Sequence, residues 1–293
     1  MAMPIETDLS NRTAIVTGAS TGIGKEIARG LARMGASVVL AVRDPVRGEA
    51  ARADIARDAR FPDRLLVLRV DLASQASIRS FATAFGRAHP KLHVLVNNAG
   101  CWHTEKRLSP DGIELIWATN VLGPHLLTQT LVPSLRAAGG ARIVNVASTA
   151  VTKLEMDDVQ MERRGFDGFK AYGQSKLANR MLTWSLASKL AAANVTVNAV
   201  APGFVKTELN RSAGGVLGTM IPFFAKLFGS TPAEGADTAV WAAAAPELDG
   251  VTSKFFEKRR ELACTYRDPE SLERLFRVAE EMTAPARQFA LAG

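Results

Sequence analysis

A chain of 293 residues with 47% hydrophobic and 22% charged content has the composition of a soluble globular protein and ample length for one large α/β core. Lys and Arg number 36 against 29 Asp and Glu, a net charge of +7. These positives are scattered without a basic run, which argues against a nucleic-acid partner and leaves a few of them to serve an anionic cofactor. Cys101 and Cys264 form neither a disulfide framework nor a metal-ligand spacing, so a reducing, cytoplasmic setting and no metal are expected.

From the N-terminus, Met1 to Arg12 is short and polar and lacks the apolar run of a signal peptide. Thr13 to Thr17 reads as a β-strand, followed by a glycine-rich turn and an amphipathic helix from Lys25 to Met34. The pattern then repeats. Strands are expected at Ser37–Val42, Leu65–Val70, Val94–Asn97, Arg142–Val146 and Thr196–Val200. Helices are expected at Val46 to about Arg60, Ser74–Ala88, around Ile113–Arg136 and Tyr172–Ala193. The strands are near-continuous Val/Ile/Leu runs, as in a parallel sheet covered on both faces. Alternating β and α on this scale predicts an α/β fold, a single-domain doubly wound parallel sheet of Rossmann type over residues 1–293.

Two segments break the rhythm, near 149–171 and near 208–230. At the carboxyl edge of such a sheet, long irregular connections are where substrate contacts belong; the plainer alternative is surface decoration. Within the second, Val216 to Phe228 is apolar but interrupted by Gly218, Pro222 and Lys226. It is too short to span a bilayer, so no integral membrane anchor is expected, although it could lie on a membrane surface or line a pocket.

Gly18, Ser20, Thr21, Gly22, Ile23 and Gly24 fill the turn between the first strand and first helix. Glycines there permit a tight turn and let the backbone approach a pyrophosphate seated on the helix N-terminus. The end of the second strand decides between dinucleotides. An acid there would bind the adenosine ribose of NAD, and a base the extra phosphate of NADP. Val42 falls in that slot with Arg43 next, which points to NADP(H), with NAD(H) as the second cofactor; a one-residue shift in register would offer Asp44 instead.

Tyr172 and Lys176 are four residues apart and share one face of a helix. An ammonium beside a phenol would lower the phenol's pKa towards the range of a general acid/base. Ser148 follows the Arg142–Val146 strand, where its hydroxyl could bond a substrate carbonyl oxygen or merely cap a turn. Asn120 stands in a helical stretch that it disfavours, where it is either an ordinary Asn or one that bends the helix and holds a water. The four histidines, His89, His93, His103 and His125, make no metal or triad spacing.

With these pieces in hand, the chain resembles the short-chain dehydrogenase/reductase family. The matching motifs, in family order, are TGASTGIG at 17–24, Asp71-Leu72, NNAG at 97–100, Asn120, Ser148, YGQSK at 172–176, and Pro202-Gly203 followed by Thr207. AVRD at 41–44, DLAS at 71–74 and SKLAN at 175–179 look like the retinol dehydrogenase-like branch. The resemblance implies that Tyr172 is the proton donor in reduction and acceptor in oxidation. Lys176 would bind the nicotinamide ribose and depress the tyrosine pKa, Ser148 would orient the carbonyl, and Asn120 would hold a water linking Lys176 to solvent. Asp71 and Leu72 would flank the adenine, with Asn98, Ala99 and Gly100 against the adenosine side of the cofactor. Pro202, Gly203, Val205 and Thr207 would meet the nicotinamide carboxamide.

The expected function is an NADP(H)-dependent oxidoreductase, an alcohol dehydrogenase or carbonyl reductase that interconverts a hydrophobic ketone or aldehyde with its alcohol. Cys101 and Trp102 are expected beside the apolar pocket. The alternatives are a catalytically silent dinucleotide-binding regulatory protein, or a nucleotide-sugar epimerase or dehydratase on the same fold. The complete set of Asn120, Ser148, Tyr172 and Lys176 argues against the first, and Gly-Ile-Gly with the moderate length against the second. The family often associates through the helix that would hold Tyr172 to Ala193, so a homodimer or homotetramer is the expected assembly.

Overall fold

A computed structural model describes residue 5 and residues 7–203 and 230–285. Eight strands form one sheet. They are β1 (Thr13–Thr17), β2 (Ser37–Val42), β3 (Leu65–Arg69), β4 (Val94–Asn97), β5 (Ala141–Val146), β6 (Val195–Ala201), β7 (Phe255–Glu257) and β8 (Arg260–Glu261). Their order is β3-β2-β1-β4-β5-β6-β7-β8, parallel throughout except for the antiparallel β7–β8 pair. The chain therefore winds outward from β1 to one edge and then from β4 to the other, the doubly wound arrangement the strand pattern predicts.

Helices α1 (Gly22–Arg33), α2 (Pro45–Ala56), α3 (Gln75–Ala88), α4 (Gly123–Ala137), α5 (Gly168–Leu190), α6 (Pro232–Ala244) and α7 (Pro269–Thr283) cover the two faces. The pleat sends alternate strand residues into two separate cores. Ile15 joins Phe85 of α3, Leu127 of α4, Leu182 of α5 and Leu275 of α7. Its neighbours Ala14 and Val16 join Ile27 and Leu31 of α1 and Trp241 of α6. Burial on both faces explains why these strands are apolar without alternation.

Three departures from the expected elements have physical causes. The helix carrying Tyr172 begins at Gly168, one turn early, because the Asp167 carboxylate accepts from the Phe169 and Lys170 amides as its N-cap. The stretch read as one helix around Ile113–Arg136 is a short turn at Leu115–Trp117, a π-turn at Ala118–Leu122 and then α4. Asn120 lies in the π-turn, the kind of local widening that recurs at functional sites. The C-terminal α6, β7, β8 and α7 carried no assignment from the sequence.

Helix α5 lies at the centre of the molecule: 168, 171, 173–178, 180–187 and 190 are all buried. One side meets the sheet, and α7 lies across the other. Ser185 donates to the Leu272 carbonyl, Lys189 pairs with Glu273 at 3.1 Å, and Phe276 stands edge-on to His125 of α4.

Candidate active site

Every described site residue expected from the sequence lies at or just beyond the carboxyl end of a strand, or on the helical segments facing that edge. Val205 and Thr207 lie outside the described residues, as does the 208–230 segment apart from its last residue.

The turn after β1 is held shut from inside. Gly18 and Gly22 have φ of 66° and 57°, left-handed values that cost a side-chain-bearing residue about 1 kcal/mol or more. A Cβ on Gly24 would collide with the Gly18 carbonyl and the Asn98 amide. Thr17, the first residue of the TGASTGIG motif but given no role there, ties the turn to β4. Its Oγ1 accepts from the Asn98 and Ala99 amides at 2.9 and 3.0 Å and donates to the Val96 carbonyl. The Asn98 side chain returns the contact by donating to the Thr17 carbonyl at 2.8 Å. Helix α1 then starts at Thr21 with no side-chain cap. Its first amides are left for an anionic group, the environment in which a pyrophosphate binds. These residues fit a dinucleotide.

At the end of β2, Arg43 is exposed, whereas the Asp44 carboxylate is engaged. It accepts from the Val46 and Arg47 amides at 2.9 and 3.3 Å as the N-cap of α2. At the end of β3, the Asp71 carboxylate accepts from the Ala73 amide. Leu72 is buried and packs on Gly123.

On α5, Tyr172 and Lys176 share a face, with the ammonium 5.6 Å from the phenol ring centroid. The Lys176 ammonium donates to the Val146 carbonyl at the end of β5, 3.0 Å away. The expected depression of the tyrosine pKa is not what this geometry produces. Burial pushes the Tyr172 phenol up to about 12 and draws the Lys176 ammonium down to about 8. Both shifts follow from one cause, since removing water disfavours phenolate and ammonium alike.

Asn120 clamps the loop after β4. Its Oδ1 accepts from the Cys101 amide at 2.8 Å, and its Nδ2 donates to the Cys101 carbonyl at 3.0 Å and to Ser175 Oγ at 3.1 Å. Gly100 faces this amide, and a Cβ there would stand 3.3 Å from Asn120 Oδ1 and 3.6 Å from Lys176 Nζ. The Cys101 thiol lies half-buried beside them, and loss of water pushes it up to about 11, so it is protonated at neutral pH. The Ser148 hydroxyl accepts from the Ala150 amide at 3.0 Å, the turn-capping role foreseen as its alternative, and its own hydrogen remains to be donated.

The 149–171 segment packs onto α5. Thr152 donates to the Lys170 carbonyl at 2.9 Å, and a Cβ on Gly173 would lie 2.6 Å from the Thr152 methyl. Trp102 donates to the Gly168 carbonyl at 2.9 Å, and Cys101, Trp102 and Phe166 pack around Ile116, Met161 and Ala171. Two features escaped the sequence reading. One is a buried polar chain in which Asn97 donates to Thr128 and Asn145, and Asn145 to Thr183. The other is Arg180, a buried cation one helical turn beyond Lys176; a charge interrupting an apolar run on the Tyr–Lys face was its available signal. Among the described residues, no cluster of His, Cys, Asp and Glu could hold a metal, and no helix is long and apolar enough to cross a membrane.

Residues 12–215 match the short chain dehydrogenase family. Mouse polyprenol dehydrogenase is 42% identical over 283 residues, covering 93% of this chain and 84% of the relative. Mouse retinol dehydrogenase 12 is 38% identical over 278 residues, covering 94% and 87%. Among solved structures, the Pseudomonas aeruginosa RhlG/NADP active-site complex superposes with a TM-score of 0.68 at 27% identity, covering 88% of this chain and 98% of that one. Sheet order, site geometry and these matches agree: the chain belongs to the short-chain dehydrogenase/reductase family, in its retinol dehydrogenase-like branch.

Proposed function

We propose that the protein is an NADP(H)-dependent oxidoreductase that interconverts a hydrophobic ketone or aldehyde with its alcohol, with Tyr172 as the general acid/base. The observation that carries this reading is the face of α5. It sets a protonated phenol and an ammonium at the carboxyl edge of the sheet, with Lys176 bound to the strand end that leads to Ser148. A nicotinamide dinucleotide bound along that edge supplies or accepts the hydride.

In the reductive direction, Ser148 donates its hydroxyl hydrogen to the substrate carbonyl oxygen. Tyr172 then gives that oxygen its proton as negative charge develops there. A phenol near 12 is still a far stronger acid than the alcohol being formed, so the transfer runs downhill. In oxidation the proton returns from the alcohol to the phenolate, which the Lys176 ammonium favours electrostatically. Cys101 and Trp102, packed with Phe166, offer apolar surface to the substrate. The mouse relatives are named for retinol and polyprenol, both long apolar alcohols, and this supports a substrate of that character.

For the cofactor, the reading rests on Asp44 being spent as a helix cap while Arg43 stands exposed beside it. The test is a panel of apolar aldehydes, ketones and alcohols, retinal and steroids included, followed by absorbance of the reduced nicotinamide. Tyr172→Phe should lower turnover by at least about a hundredfold with NADPH affinity within roughly twofold. Near wild-type turnover in the variant would remove Tyr172 from the chemistry. Dinucleotide binding with no turnover of any carbonyl or alcohol would favour the regulatory binder.

A further inference from the structure

Arg180 belongs to the face that carries Tyr172 and Lys176, eight residues beyond the first and four beyond the second. It is 6% exposed. Its guanidinium donates from Nη2 to the carbonyl of Ser148 and lies over the Phe255 ring of β7, 4.0 Å from the centroid. The Cys264 thiol stands beside it, and its Nε has no partner among the described residues. A buried guanidinium is costly to keep, and an ordinary core position on α5 would hold a Leu or Met. Stacking on an aromatic face and charge-assisted donation to a carbonyl are what offset that cost.

Two cations on one helix face therefore grip the same strand end, Lys176 at Val146 and Arg180 at Ser148. The two anchors bracket Ala147, whose amide continues the sheet by donating to the Val200 carbonyl at 2.8 Å. Past this point, among the described residues, the hydrogen bond to the Ser148 side chain runs from Ala150, within the same turn. Without Arg180, nothing described from α5 would fix the backbone of Ser148 relative to Tyr172.

We propose that Arg180 is a positioning residue for Ser148, holding the serine that orients the substrate carbonyl at a set distance from the phenol that protonates it. This rests on the oxidoreductase reading above. A displacement of about 1 Å between such groups costs on the order of a hundredfold in rate. Loss of one charge-assisted anchor, with the rest of the turn intact, should cost roughly tenfold.

The variant is Arg180→Met, which keeps length and contact with Phe255 but cannot donate, compared with Arg180→Lys, which can. The expected result for Arg180→Met is a roughly tenfold fall in kcat with the NADPH dissociation constant within about twofold. Arg180→Lys should recover most of the loss. Amide hydrogen exchange supplies a readout independent of turnover: the Ala150 amide, bonded to Ser148 Oγ, should exchange at least about tenfold faster in Arg180→Met. The Ala147 amide, inside the sheet, should not change. A kcat within twofold of wild type, or an unchanged Ala150 amide, would overturn the proposal. So would a fall in kcat accompanied by an equal loss of NADPH affinity, or by acceleration of Ala147 and Ala150 together, because either marks a general loss of structure. If the wild-type protein turns over nothing in the carbonyl panel, the oxidoreductase reading fails, while the exchange rates still decide whether Arg180 holds Ser148.

Discussion

His125 makes folding stability depend on pH in a way that one substitution isolates. Its ring lies in α4, 2% exposed, edge-on to Phe276 of α7 with centroids 5.1 Å apart. Neither ring nitrogen has a hydrogen-bond partner among the described residues. Burial alone draws its pKa from 6.5 down to about 4, because no acceptor is present to receive the imidazolium's protons. In the unfolded chain the ring takes up a proton as pH falls through 6.5, whereas in the folded protein it stays neutral until about 4. The unfolded state therefore binds more protons across that window, and stability is full above 6.5 and lost as pH falls towards 4. The whole window corresponds to about 3 kcal/mol, and the part between pH 7 and pH 5 to about 2 kcal/mol. His125→Phe keeps a flat ring against Phe276 and removes the titration. Urea unfolding of both proteins at pH 7 and pH 5 should show wild type losing about 2 kcal/mol more than the variant. Carboxylates and the other histidines contribute equally to both and cancel in the difference. Parallel stability curves, within about 0.5 kcal/mol, would refute the assignment and show that the buried ring is protonated or solvated.

Arg43→Ala should lower the ratio of kcat/KM for NADPH over NADH by roughly tenfold or more, the size of one charge-assisted contact. Asp44→Ala should cost about 1 kcal/mol of stability as a lost helix cap and leave that ratio unchanged; a shifted ratio would make the Asp44 carboxylate the ribose reader instead. Gly24→Ala drives a Cβ into the Gly18 carbonyl and the Asn98 amide. It should lower stability by about 1–3 kcal/mol and weaken dinucleotide binding, as followed by thermal unfolding and fluorescence titration; wild-type values in both would mean that the turn can open. Because α7 lies across α5, association through α5 should not form. Sedimentation should find a monomer or an oligomer built on another face, and a cross-link between copies at Met181 to Lys189 would contradict this.

Much of the frame was legible because it is written in local chemistry. β1 is a run of five residues followed by a turn with two glycines at positive φ, and the β–α alternation follows from strands buried on both faces. What was not legible depends on contacts between distant residues. Asp44 stood as the alternative ribose ligand that a one-residue shift in register would offer, yet the next residue is Pro45, and Asp before a helical Pro is a capping pattern. Asp167 caps α5 without a following Pro, and the expected start of that helix therefore falls a turn late. Helix α6 is an alanine-rich stretch without a polar face, and β7 and β8 are three and two residues long, too short for any periodicity to register. Arg180 offered one local signal, its place on the Tyr172–Lys176 face, but its burial depends on Phe255 and Ser148, which are distant in sequence.

The Tyr172–Lys176 spacing is common on helices, and its meaning here comes from where the helix lies. In water the two groups titrate close together, the phenol at 10.0 and the ammonium at 10.5. Burial in the middle of the molecule drives them apart in opposite directions, to about 12 and about 8, since both charged forms lose water. At neutral pH the phenol is protonated and the ammonium still mostly charged, but the lysine now gives up its proton well before the phenol does, and among the described residues the Val146 carbonyl accepts from it. Any group that presents further oxygen acceptors to Lys176 raises its pKa by hydrogen bonding. An ammonium that keeps its charge to higher pH then lowers that of the phenol 5.6 Å away. Acid strength at Tyr172 is in this way coupled to occupancy at Lys176. A helix exposed to solvent on one side could not provide that coupling, because water would already have satisfied the lysine.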